Sequence, residues 1–196
     1  QYIRADSGAA MIATKGINTN FQKCLPPKLP GIKPIIALLS PICYPEQVNT
    51  FTDLSLSTDL VEALEASGIT KPTPIQCAAL PRLLTGENLL FSSETGTGKT
   101  LCYLLPAFEK CRQETERRAP AVLIIAPTHE LASQIKRESL SLAERSHIPV
   151  TTALLVGGAP LKRQIDVLKQ KPRIVVGGPA RIIELVRLKK LDIRSV

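Results

Sequence analysis

The stretch that most limits what this chain can become is Ser93-Glu94-Thr95-Gly96-Thr97-Gly98-Lys99-Thr100, which follows the apolar run Leu89-Leu90-Phe91 and leads into Leu101, Leu104 and Leu105. A strand, a tight glycine turn and a helix are the parts of a phosphate cradle. Gly96 and Gly98 let the backbone adopt conformations closed to other residues, so that successive N–H groups point inward at an anion. Lys99 then reaches the β and γ phosphates as a point charge, and the Thr100 hydroxyl ligates Mg²⁺. Ser93 stands where the usual spacing has its first glycine, a mild departure if the position needs a small residue more than a left-handed one. Taken alone, Gly-Lys-Thr is only a turn that ends a strand and starts a helix. The eight-residue string between a strand pattern and a helix pattern is what favours phosphate.

Composition narrows the partners. A chain of 196 residues with 44% hydrophobic content is one domain of ordinary size with a tail and has ample material for a core. Aromatics are only 4%, so aliphatic residues must build that core. No apolar run approaches the roughly twenty residues that span a bilayer, which implies a soluble protein without a membrane partner. The formal charge is +8, of which residues 1–50 hold +3 (Arg4, Lys15, Lys23, Lys28 and Lys33 against Asp6 and Glu46), leaving +5 with the phosphate string. Such a balance favours a polyanionic partner. Cys24, Cys43, Cys77, Cys102 and Cys111 are odd in number and form no Cys-x-x-Cys pair. They read as free thiols of a reducing, intracellular compartment, with no zinc site.

Along the chain, residues 1–49 show no sustained periodicity. Pro26, Pro27, Pro30, Pro34, Pro41 and Pro45 interrupt any helix there, so the segment reads as a linker-like extension. Order begins near Phe51. Ser57 as N-cap, Leu60 and Leu64 on one face and Gly68 as the stop predict a helix from about Thr58 to Ser67. In Lys71-Pro72-Thr73-Pro74-Ile75-Gln76, Thr73 as N-cap, Pro74 at the first helical position and Gln76 three after the cap predict a capping box and a helix to about Leu84. Gln76 has two readings. It completes the cap, or its amide reads the N6 and N7 edge of adenine.

Beyond the phosphate string, a helix starting near Lys99 is expected to kink or end around Pro106, with Glu109 to Arg118 a solvated segment. Ala121 to Ala126, Val150 to Val156 and Arg173 to Val176 read as strands. Each is followed by a helical pattern: Leu131, Ile135 and Leu142; Leu161, Ile165 and Leu168; Ile182, Leu185 and Val186. Strands alternating with helices imply an α/β fold, a parallel sheet flanked by helices, with functional loops at the strand carboxyl ends.

Together these segments resemble the first RecA-like domain of DEAD-box ATP-dependent RNA helicases, over about Thr50 to Val196. Phe51 with Lys71-Pro72-Thr73-Pro74-Ile75-Gln76 resembles the family's Q motif (about residues 50–77), and Ser93 to Thr100 its motif I. Pro127-Thr128-His129-Glu130-Leu131-Ala132 resembles motif Ia, Gly157-Gly158 the GG motif and Gly178-Pro179-Ala180-Arg181 motif Ib. The resemblance implies a RecA-like P-loop NTPase domain that binds ATP and Mg²⁺. Phe51 would stack on the adenine, with Lys71 in the same motif, and Gln76 would select the base. Ser93, Glu94, Thr95, Gly96, Thr97, Gly98, Lys99 and Thr100 would hold the phosphates, Lys99 and Thr100 serving catalysis and Thr100 the metal. Pro127, Thr128, Gly157, Gly158, Pro179 and Arg181 would hold RNA, single-stranded or a short duplex. Helix starts aim free N–H groups at phosphates, and glycines allow close approach.

The family pattern has arginine where His129 stands and Thr-Pro-Gly-Arg where this chain has Gly178-Pro179-Ala180-Arg181. An ordinary imidazole is mostly uncharged at neutral pH, which weakens a phosphate contact at that position. The chain also ends short of the strand expected to carry Asp-Glu-Ala-Asp, so the domain reads as incomplete at its C-terminus and inactive by itself. The favoured expectation is the amino-terminal part of an ATP-dependent RNA helicase, a monomer whose parent couples ATP hydrolysis to RNA binding and unwinding. A truncated, non-catalytic nucleotide- or RNA-binding module and a RecA-type P-loop ATPase acting on DNA are the alternatives.

Overall fold

The fold is that of a computed structural model, which describes residues 3–5, 9–13, 33–34, 50–91, 96–113, 120–193 and 196. Its described residues form two compact units, one drawn from residues 1–56 and 70–106, the other from residues 57–69 and 107–196.

The first unit is built on β4 (Leu89–Phe91), which lies between β2 (Ala9–Ala13) and β3 (Lys33–Pro34), parallel to both; β1 (Ile3–Ala5) pairs antiparallel with β2. Both neighbours of β4, and β1 beyond β2, come from the first 49 residues, where the sequence offers no strand pattern; the rest of that stretch lies outside the described residues. Against β4 packs α2 (Pro74–Leu84), whose inner face is Ile75, Ala79, Leu80 and Leu83. Pro74 opens this helix with the fixed φ that a first turn requires, and the observed bounds are those the cap and proline predict.

The second unit has a wholly parallel sheet in the order β5 (Val122–Ile125), β7 (Ile174–Gly177), β6 (Thr152–Leu155). Its strands are almost wholly buried because helices cover them: α4 (His129–Ser146) lies on β6 and β7, α5 (Leu161–Lys169) on β6, and α1 (Thr58–Glu65) on α4. The sixth helix, α6 (Pro179–Arg187), buries Ile182 and Leu185. On α4 the buried positions are Ala132, Ile135, Ser139, Leu142 and Ser146, spaced three and four apart, and the buried Ser139 and Thr152 hydroxyls satisfy each other at 2.7 Å. His147 closes α4 in the left-handed conformation at φ +54°.

Two expectations need correction. Helix α3 (Lys99–Gln113) does not end at Pro106 but continues through it, with residues 102–109 all buried. The continuous apolar burial of Leu104, Leu105, Ala107 and Phe108 outweighs one missing N–H. The segment from Glu109 is therefore not solvated at its start: Glu109 and Cys111 are buried, while Arg112 and Gln113 are exposed as expected. Glu109 is 5% exposed and accepts the Ser57 N–H at 2.6 Å, while Arg112 donates to its other oxygen at 3.2 Å. A carboxylate 52 residues away thus satisfies the N-terminal end of α1, and the Ser57 hydroxyl expected to cap that helix makes no side-chain cap bond.

Candidate functional site

In the first unit the described part of the phosphate string begins at Gly96; Ser93, Glu94 and Thr95 lie outside the described residues. Gly96 and Gly98 stand at φ +85° and +83°, the left-handed region that only glycine enters without strain. Lys99 and Thr100 are the first two residues of α3 and are half-buried. The turn is held by the start of α2. The Thr73 hydroxyl donates to the Thr97 carbonyl at 2.8 Å, and the Gln76 amide Nε2 donates to the Gly98 carbonyl at 3.1 Å. Gln76 Oε1 meanwhile accepts the Thr73 N–H at 2.8 Å, so the cap reading of Gln76 is realised.

These bonds fix direction. In a trans peptide the carbonyl and the next residue's N–H point opposite ways. With the Thr97 and Gly98 carbonyls turned towards α2, the N–H groups of Gly98 and Lys99 are turned away from it, which is the arrangement an anion cradle needs. Gly98 has a second reason to be glycine, since a Cβ there would collide with the Gln76 amide.

Gln76 is 1% exposed, and of the two N–H groups and two carbonyl lone pairs of its amide these bonds use one of each. Phe51 is equally buried, at the start of a 3-10 turn in which its carbonyl accepts the Leu54 N–H at 3.1 Å. Lys71 is exposed. Among the described residues no three His, Cys, Asp or Glu side chains converge as metal ligands. A Cβ placed on Gly96 would meet nothing within 4 Å, so its left-handed φ and not crowding is what favours glycine there.

In the second unit the carboxyl ends of the three parallel strands and the helix starts after them enclose a cleft of about 400 Å³. Pro127, Thr128 and His129 line it after β5, Val156 and Gly157 after β6, and Gly178, Pro179, Ala180, Arg181 and Glu184 after β7. Of the residues expected to hold RNA, the structure thus brings Pro127, Thr128, Gly157, Pro179 and Arg181 to one cleft, with Gly158 in the adjoining turn at φ +79°. Thr128 caps α4, its hydroxyl accepting the Leu131 N–H at 3.2 Å. The exposed Glu130 carboxyl lies below the usual range because its own backbone N–H and the Thr128 hydroxyl bond to it. A Cβ placed on Gly157 or Gly178 would meet nothing within 4 Å, and neither residue is left-handed. The protein's own packing does not require glycine at these two positions, so their bareness is room for something else.

Two residues of this site were missed. Gln164 on α5 is 5% exposed and donates Nε2 to the Val156 carbonyl at 2.8 Å and to the Ala159 carbonyl at 3.4 Å, pinning the Gly157-Gly158 turn from both sides. The signal was present, because Leu161, Ile165 and Leu168 define an inner face on which position 164 also falls. Glu184 is the other. It accepts the Arg181 Nε at 3.0 Å, while Arg181 Nη1 donates to the Ala159 carbonyl at 3.2 Å.

The family model for DEAD/DEAH box helicases matches residues 73–196. The chain is similar to the DEAD-box ATP-dependent RNA helicase CshC of Bacillus cereus, 44% identical over 137 residues that make up 70% of this chain and 34% of that protein. It is also similar to the ATP-dependent RNA helicase SrmB of Escherichia coli, 37% identical over 151 residues, 76% of this chain and 34% of that one. Among solved structures, a DEAD box protein from the hyperthermophile Methanococcus jannaschii matches with a TM-score of 0.68 at 33% identity, covering 76% of this chain and 39% of that chain. The chain spans about a third of the length of the curated relatives it matches.

Proposed function

This chain belongs to the DEAD/DEAH box helicase family, and on that footing we propose that it carries the ATP-binding part of an ATP-dependent RNA helicase, which in the whole protein couples ATP hydrolysis to RNA binding and strand separation. The loop from residues 93 to 100 holds the triphosphate, with Lys99 on the β and γ phosphates and Thr100 on Mg²⁺. Gln76 and Phe51 recognise the adenine, Gln76 through the donor and acceptor its cap bonds leave unused. Lys71, in the segment leading to α2, lies close enough in sequence to serve the same nucleotide. The cleft of the second unit takes the RNA backbone, through the helix starts at Thr128 and Pro179 and the bare glycines of its turns.

The observation that carries the nucleotide assignment is the pair of bonds from Thr73 and Gln76 to the Thr97 and Gly98 carbonyls. They leave the adjacent N–H groups directed for an anion, and they tie the proposed base reader to the phosphate turn. Calorimetric titration with ATP and GTP tests it. ATP should bind in preference to GTP, Lys99→Ala should weaken both, and Gln76→Ala should erase the preference. An unchanged ATP preference in Gln76→Ala would remove the adenine-reading role.

A further inference from the structure

The charge balance of the second unit's cleft leads further, and the inference rests on reading that cleft as an RNA site. A polyanion needs a cation, and the cleft's arginine is already engaged: Arg181 is paired with Glu184 at 3.0 Å and bonded to the Ala159 carbonyl at 3.2 Å, with its side chain 12% exposed. Glu184 lines the same cleft, so this pair adds no net charge to it. Glu130, next to the cap of α4, is held ionised by its backbone and Thr128 bonds. The ends of β5, β6 and β7 contribute Pro127, Val156, Gly157 and Gly178, none of them charged. Helix α1, packed on α4, carries Asp59, Glu62 and Glu65, all exposed and none lining the cleft; Lys162 and Arg163 at the start of α5 do not line it either. The remaining titratable group in the lining is His129, exposed at the first position of α4.

We infer that protonation of His129 supplies the cation that completes the phosphate grip of this cleft, making RNA affinity proton-linked through a single residue. The imidazole is the side chain whose ordinary titration falls between about pH 5 and 8. With it neutral, a phosphate entering the cleft meets backbone N–H groups and the mutually neutralised Arg181–Glu184 pair. With it charged, the phosphate gains a partner at the cleft wall.

Fluorescence anisotropy with a labelled single-stranded oligouridylate, whose bases do not titrate in this range, tests the inference at constant ionic strength from about pH 8 to about pH 6. The protein should bind more tightly as pH falls, by at most about tenfold per pH unit for one linked proton. His129→Arg should bind tightly with a flat profile, and His129→Ala weakly with a flat profile, His147 being unchanged in both. A wild-type profile retained in His129→Ala, or a flat wild-type profile with measurable binding, overturns the inference while leaving the RNA reading intact. Failure of all three folded proteins to bind RNA at any pH, with ATP binding preserved, overturns the RNA reading and the inference together.

Discussion

Gln76 concentrates the logic of the nucleotide loop in one side chain. Its two amide ends bridge the Thr73 N–H and the Gly98 carbonyl in a setting 1% exposed to solvent. Gln76→Ala strands both backbone groups, and a buried unpaired group costs about 1–3 kcal/mol, so urea unfolding should show a loss of that order alongside weaker nucleotide binding. The cleft's glycines predict the opposite separation of stability from binding. Gly157 is outside the left-handed region and has open space where a Cβ would go. Gly157→Ala should therefore leave stability unchanged or raise it by up to about 1 kcal/mol, while RNA affinity falls because the added methyl occupies the ligand's approach. Reduced stability with undiminished affinity would mean the glycine serves the fold instead. Thiol reactivity is also set residue by residue. Burial pushes the Cys102 thiol up to about 12 and raises Cys77 as well, so both stay protonated at neutral pH. Alkylation followed by peptide mapping should label the half-exposed Cys77 slowly and leave Cys102 and Cys111 unmodified until the protein unfolds.

Helices and strands show where local pattern suffices and where it does not. The bounds of α2 were legible because Thr73, Pro74 and Gln76 are a local cap grammar that needs no distant partner. The strands β5, β6 and β7 were legible to within a residue or two as short apolar runs between turns. Their order β5-β7-β6 was not, since pairing between strands separated by a helix leaves no mark in either strand. Of the kink or end expected at Pro106 in α3, the end does not occur, because proline's local cost was weighed without the burial that offsets it. Glu109 was misread for the same reason. Charge in a sequence signals solvent, but here the partner is the Ser57 N–H, 52 positions earlier. Removing that carboxylate tests the revised reading: Glu109→Ala should destabilise the second unit by about 1.5–3 kcal/mol, the range for hydrogen bonds to charged groups. A change near zero in denaturant unfolding would return Glu109 to the surface role first expected of it. The cleft was legible as three separate motifs, and only the parallel sheet, which aligns their strand ends, makes them one site.

At the scale of the whole molecule, the chain divides its candidate sites between two units, the glycine loop before α3 in one and the cleft at the ends of β5, β6 and β7 in the other. A formal charge of +8 suits both ligands, and among the described residues no helix is long and apolar enough to cross a membrane. RNA binding by such a molecule should weaken with added salt, the slope counting the phosphates neutralised. All of this depends on the turn from Gly96 to Thr100 being a triphosphate cradle held from behind by α2. Backbone amide shifts of the ¹⁵N-labelled protein, followed during titration with ATP and Mg²⁺ and separately with adenosine, measure that directly. The account predicts that the Gly96, Thr97, Gly98, Lys99 and Thr100 amides move with ATP and stay in place with adenosine. Stationary loop amides while ATP shifts resonances elsewhere in the protein would contradict it.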